Sequence, residues 1–276
     1  MKKAILLFVV AFQSITLKAH GDTVVGIHGF VADWRSMKPI EHVLERCGLD
    51  VCLWNYQSTR KSIEQHGCDL VLTLQEIARC NPGRPIHFVT HSVGALVLRA
   101  ALNIPGCPME AKIGRAVLFA PPNQGSSLAR RFRGFWPVEV AMGNKCGGEL
   151  RNYGPCEIAC LGEFPPSMEV LVIAGTKGNL IWFCEPNDGF LTVNETWLNT
   201  PFYLQSYPVT HGGMLKNRCV LCCMKTFING WYSKPEPALP DSGSCAAFSL
   251  NCLPKQADVC YPEVGVWFRS SELEQP

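Results

Sequence analysis

VTHSVGAL, residues 89–96, lies where one apolar run, Ile86–Thr90, gives way to another, Val93–Leu102. The first run is short and rich in β-branched residues, like a buried strand; the second has the length of a helix. A serine between strand and helix sits on a sharp turn. The usual pattern there is G-x-S-x-G, because small residues two positions either side of the serine let strand and helix approach closely. Gly94 meets that requirement. Thr90, modest in size but β-branched, stands where the first glycine is expected. The turn sets the Ser92 hydroxyl above the sheet, and the helix N-terminus beneath it favours developing negative charge.

Working outward, short apolar runs alternate with amphipathic ones. Thr23–Ile27, Val51–Trp54, Ile86–Thr90, Ala116–Ala120, Glu169–Ala174 and Phe202–Tyr207 read as strands. Between and after them, Met37–Cys47 has helical spacing (Ile40, Val43, Leu44, Cys47) and stops at Gly48. Ser62–Cys80 is a long helix capped by Ser62 and ended by Asn81-Pro82-Gly83, and Met214–Tyr232 is a final helix. Strands that are continuous apolar runs separated by helices predict an α/β fold: a mostly parallel sheet with helices on both faces. Such sheets carry their sites at the carboxyl ends of strands, so chemistry-capable residues are expected just after strands. Two regions break the rhythm. Residues 123–167 contain no clean strand and read as a lid-like insertion over the site. Residues 233–276 have no periodic pattern and read as a cysteine-containing tail, leaving 22–232 as the domain.

Composition narrows the function classes. The 276 residues are 47% hydrophobic and 17% charged, with a formal net charge of +2. That is enough apolar material for one large core, and no basic face points to nucleic acid. The first residues, MKKAILLFVVAF, join a basic start to an apolar stretch too short to span a bilayer, and small residues follow at Ala19-His20-Gly21. Residues 1–21 therefore read as an export signal of bacterial appearance, the alternative being an N-terminal membrane anchor. Fifteen cysteines are many for this length. Cys52, Cys68, Cys80 and Cys107 fall inside expected strands and helices, as small hydrophobes do. Cys146, Cys156, Cys160, Cys245, Cys252 and Cys260 are the expected disulfide formers. Cys219-x-x-Cys222-Cys223 has no second pair at zinc-site spacing, so no metal is expected.

A nucleophilic serine needs a base and a group that orients the base. His211 follows the strand Phe202–Tyr207 in a glycine-flanked loop. Asp188, in Asn187-Asp188-Gly189, follows Glu169–Ala174; Glu185 is the nearby rival. Ser…Asp…His is one of the chain orders in which such triads occur. Stabilising an oxyanion takes two N–H donors, one from the residue after the serine, Val93, and one from the loop after an early strand, the Phe30 amide in His28-Gly29-Phe30.

These segments, with APPNQGS (120–126), VIAGT (172–176), NDGFLTV (187–193) and THGGML (210–215), resemble α/β-hydrolases of the lipase and esterase type, both bacterial triacylglycerol lipases and inositol-deacylase-like enzymes. The resemblance covers residues 23–231. It departs at Thr90 and at Ala95, where many lipases have a second glycine. It implies a serine hydrolase of carboxylic esters, lipid esters foremost, with Ser92 as nucleophile, His211 as general base and then acid, Asp188 as orienter, an acyl-enzyme intermediate, and no metal or organic cofactor. An acyltransferase with the same triad, a silent acyl- or lipid-binding protein, and an amidase on the same scaffold are the alternatives. The stretch 130–142, with Phe132, Phe135, Trp136 and Val140 beside Arg130, Arg131 and Arg133, reads equally as a membrane-touching lid or as the core of the insertion. Oligomeric state is not legible.

Overall fold

Six parallel strands form the centre of the computed structural model, which describes residues 22–179, 181–230 and 265–267. The strands are β1 (Thr23–Ile27), β2 (Asp50–Trp54), β3 (Ile86–His91), β4 (Arg115–Phe119), β5 (Glu169–Gly175) and β6 (Phe202–Tyr207). A short seventh strand, β7 (Gly265–Trp267), pairs antiparallel with β6, giving the order β2-β1-β3-β4-β5-β6-β7. The order reverses between β1 and β3, so the loops leaving those two neighbours diverge and open a crevice at their carboxyl ends.

The sheet is covered on both faces, which is why its strands read as continuous apolar runs. Along β1, Val25 and Ile27 point to one side and Val24 to the other, following the two-residue period of a strand. The first side packs on α2 (Ile63–Cys80) and α3 (Gly94–Asn103) through Leu70, Leu74, Ile77, Leu96 and Ala100. The second packs on α1 (Lys38–Glu45) and α8 (Arg218–Ile228) through Ile40, Leu44, Val220, Met224 and Phe227. The helix starts follow local chemistry. Ser62 caps α2 in a reciprocal capping box with Gln65. Asn217 caps α8, its Oδ1 accepting from the N–H groups of Cys219 and Val220. That cap splits the expected 214–232 helix into a 3-10 turn, Gly213–Lys216, and α8.

The insertion holds four short helices: α4 (Ser127–Arg131), α5 (Trp136–Met142), α6 (Cys146–Asn152) and α7 (Pro155–Ala159). The α5 helix buries no residue, and Phe135, Trp136 and Val140 are exposed, so 130–142 is not the core of the insertion. The expectation that Cys146, Cys156 and Cys160 form disulfides is also corrected. Among the described residues all three are free thiols: Cys146 is buried in the core, Cys156 is exposed on α7, and Cys160 is exposed just after it. Cys68 and Cys80 lie on the exposed side of α2, and so are not small core hydrophobes. Cys222 is exposed while Cys223 is buried, so the two lie on different faces of α8. Residues 1–21 and the cysteines at 245, 252 and 260 lie outside the described residues. Among the described residues no helix is long and apolar enough to cross a membrane.

Candidate active site

Every strand-end residue singled out in the sequence falls at the carboxyl end of the sheet. Ser92 follows β3 directly, with φ +52°. Left-handed backbone is unfavourable for a serine, and such strain persists only where the surroundings over-determine it. Here the Ser92 N–H is tied to the Phe119 carbonyl of β4 at 2.8 Å, and α3 starts two residues later. Gly94 is what lets it start there. A Cβ at that position would sit 2.7 Å from the Ile27 carbonyl oxygen and 2.8 Å from that of His28. Gly29 makes the matching contact from the other side: a Cβ would lie 2.9 Å from His91 Nδ1 and 3.2 Å from the Ser92 Cβ. The loop after β1 and the turn after β3 are thus packed backbone to backbone.

Neither the Phe30 nor the Val93 N–H donates to a protein acceptor among the described residues. They are the two amides the sequence nominates for an oxyanion. The Val31 N–H is engaged instead, donating to Ser58 Oγ at 2.9 Å.

His211 follows β6, and its Nδ1 lies 2.7 Å from Asp188 Oδ2. A carboxylate only accepts, so Nδ1 carries the proton and Nε2 presents a lone pair. The other Asp188 oxygen accepts from the N–H groups of Phe190 and Leu191, each at 2.8 Å, which fixes the carboxylate although it is buried. The two loops are also joined through the main chain, His211 N–H to the Asp188 carbonyl at 2.9 Å. Glu185, the rival acid, is exposed and accepts from Asn194 Nδ2 instead.

His91 links the serine turn to the histidine loop. Its Nε2 donates to the His211 carbonyl at 3.0 Å, and the two rings lie 4.7 Å apart. Burial, reinforced by the neighbouring His211, pushes its pKa down to about 3, so the ring is neutral. Phe190 lies against the other side of His211, ring centroids 5.1 Å apart. Neither contact was legible in the sequence, because both arise from tertiary approach. Thr90 is fully buried beneath the turn, its hydroxyl without a hydrogen-bond partner.

A sheet of this order, with a serine turn after β3 and an acid and a histidine after β5 and β6, is the α/β-hydrolase fold. Comparison with solved structures gives the same assignment. The chain is similar to the mature form of the lipase BlEst2 from Bacillus licheniformis, with a TM-score of 0.63, 18% identity, and coverage of 76% of this chain and 94% of that one. It is also similar to Est1E from Butyrivibrio proteoclasticus with bound ferulic acid, with a TM-score of 0.54, 14% identity, and coverage of 77% and 90%. No protein-family profile matches the sequence, and no curated protein matches it.

Proposed function

We propose that the chain is a serine hydrolase of carboxylic esters. The observation that carries this reading is the Asp188–His211 pair, 2.7 Å apart, whose histidine loop is joined through the His91–His211 contact to the turn that carries the left-handed Ser92. In the proposed reaction Ser92 Oγ attacks the ester carbonyl carbon as its proton passes to His211 Nε2. The Phe30 and Val93 N–H groups hold the carbonyl oxygen as it becomes an oxyanion. His211 then gives the proton to the leaving alkoxide, and an acyl-enzyme remains on Ser92. Water, deprotonated by the same imidazole, releases the acid. Asp188 keeps Nδ1 protonated throughout and stabilises the imidazolium.

Lipid esters are the proposed substrate class. The support is a set of exposed apolar side chains on three segments, of which Phe190 packs on His211. Val31 follows the oxyanion loop; Phe135, Trp136 and Val140 come from α5 and the turn before it; Ile181, Trp182 and Phe190 come from the acid loop. Phe132 joins the second segment to the third, edge-on to Trp182 at 5.7 Å, with the Arg131 guanidinium over the same indole. Exposed aromatic and aliphatic side chains beside arginines suit the headgroup region of an anionic membrane. The lipase BlEst2, similar in fold, agrees with the substrate class. Export of the chain under its N-terminal signal completes the reading.

Labelling with a fluorophosphonate tests the nucleophile. Wild-type protein takes up the probe and Ser92→Ala does not; labelling that survives Ser92→Ala removes the proposal. Turnover of p-nitrophenyl esters from short to long acyl chains then tests the lipid preference.

A further inference from the structure

The oxyanion loop rests on a segment with no part in the reaction proposed above. The four residues after β2, Asn55–Ser58, run beneath residues 28–31. Tyr56 holds His28 in three ways. Its hydroxyl donates to the His28 carbonyl at 2.9 Å, its N–H donates to His28 Nε2 at 3.3 Å, and its ring stacks on the imidazole at 4.4 Å. Because Nε2 accepts, the His28 proton is on Nδ1, which donates to the Gly29 carbonyl at 2.9 Å. Ser58 Oγ accepts the Val31 N–H at 2.9 Å. His28, Tyr56 and Ser58 are all buried, so water does not compete for these bonds.

Val31 itself has φ +52°. For a β-branched side chain that conformation is a true outlier, and it is held only where neighbouring structure dictates it. The Val31 side chain is 70% exposed, so burial in the core does not impose it. The bond to Ser58 is what remains. Turning the Val31 N–H toward Ser58 fixes the peptide on one side of Phe30, and the Tyr56–His28 bonds fix the chain on the other.

Resting on the ester-hydrolase reading, we infer that Tyr56 and Ser58 are positioning residues for the oxyanion hole, acting through Val31 and His28 to hold the Phe30 N–H where the tetrahedral intermediate needs it. They touch no substrate. Their loss lowers the rate of the chemical step and leaves substrate binding nearly unchanged.

The test is steady-state kinetics of the full chain on p-nitrophenyl butyrate and on the matching thionoester. Sulfur accepts hydrogen bonds weakly, so a working oxyanion hole favours the oxygen ester and a misaligned one loses that preference. Displacing a donor by about an ångström costs on the order of 10²-fold, so Ser58→Ala is expected to lower kcat by roughly 10- to 100-fold with KM within about threefold. The ester-to-thionoester ratio falls with it. Tyr56→Phe, which keeps the stacked ring and loses one hydroxyl, gives a smaller loss of the same kind. Ser58→Thr, which keeps the oxygen, recovers most of the rate. Thermal unfolding of each variant confirms that the fold is intact. Wild-type kcat in Ser58→Ala overturns the inference, and so does a loss of kcat with an unchanged ester-to-thionoester ratio. A wild-type chain that turns over neither ester, or a Ser92→Ala variant as active as wild type, instead removes the hydrolase reading and the inference with it.

Discussion

Asp188→Asn separates what the acid does for structure from what it does for chemistry. One carboxylate oxygen accepts two backbone N–H groups, from Phe190 and Leu191, and the other accepts the His211 Nδ1–H. An asparagine has one acceptor oxygen and one donor NH₂. If its oxygen keeps the two backbone bonds, the NH₂ faces His211 Nδ1, and the imidazole must put its proton on Nε2. It then has no lone pair for the Ser92 proton. If the amide flips to rescue the histidine, two buried N–H groups face a donor. Each such unsatisfied group costs about 1–3 kcal/mol, so the flip costs about 2–6 kcal/mol. At 1.36 kcal/mol per decade that alone is roughly 30- to 2 × 10⁴-fold, and losing the charge that stabilises imidazolium adds to it. A kcat about 10⁴-fold below wild type is expected, the scale of a wrong-tautomer triad.

Stability supplies the control. Asp188→Asn keeps both backbone bonds and unfolds within a few degrees of wild type. Asp188→Ala leaves the same two N–H groups without acceptors and is expected to lose about 2–6 kcal/mol, or roughly 5–20 °C in Tm for a domain of this size. Esterase assays with p-nitrophenyl butyrate and thermal unfolding of the two variants decide the matter. Asp188→Asn retaining more than about a tenth of the wild-type kcat contradicts the 10⁴-fold expectation for the tautomer argument. Equal destabilisation of the two variants refutes the account of the carboxylate's bonds.

Three further expectations follow from other parts of the molecule. Thr90→Val removes a buried hydroxyl that has no partner while keeping the shape, so it is expected to raise stability by about 1 kcal/mol at near wild-type kcat; a fall in activity on steady-state assay would show that the hydroxyl serves the turn. His28, His66, His87 and His91 are each pushed below the usual histidine pKa by burial, so the unfolded chain takes up more protons as pH drops below about 6.5. Stability is therefore full above that pH and is lost on acidification, by up to about 1.4 kcal/mol per unit for each histidine and, for His91, down to about pH 3; urea unfolding of His91→Gln between pH 7 and 4.5 should show a shallower loss than wild type. Trp136→Ser with Val140→Ser removes two exposed apolar anchors, and at roughly 1.5–3 kcal/mol for each side chain fully buried, partition onto anionic vesicles is expected to fall at least about tenfold. Hydrolysis of a soluble short-chain ester by that variant should be unchanged; undiminished vesicle binding would place the membrane contact elsewhere.

Four of the six parallel strands, β1, β3, β4 and β5, were legible because they are almost wholly buried and so read as unbroken apolar runs, while β2 and β6 are only partly covered. The positions of Ser92, Asp188 and His211 after strands were legible for the same reason, since a strand end is easy to find in such a pattern. What escaped was whatever depends on approach in space. Nothing local distinguishes Tyr56 or Ser58, although they follow β2, where the rule that sites lie at strand ends applies as well as it does after β3. The break at Asn217 hides inside a helical pattern because the 3-10 turn before it has a similar apolar spacing. Cysteine number suggested disulfides at 146, 156 and 160, but Cys146 fills core space, and Cys156 on α7 and Cys160 just after it face solvent. β7 is three residues long, too short to show a period.

Thr90 shows why a sequence pattern and its physical requirement differ. The two small positions flanking the serine are not equivalent. At position 94 a side chain would strike two backbone carbonyl oxygens, of Ile27 and His28, in the strand and loop that lead to the Phe30 amide. Backbone held in a sheet cannot give way, so glycine is required there. Position 90 is the last but one residue of β3, paired in register with Ile27 and Leu118, whose side chains belong to the core beneath α2 and α3. By the two-residue period of the strand, Thr90 points into that same core. Its neighbours there are side chains, which can adjust by a rotamer or a few tenths of an ångström. A β-branched residue is thus absorbed at the upstream position, Ser92 still reaches φ +52°, and the turn forms with one of its two customary glycines.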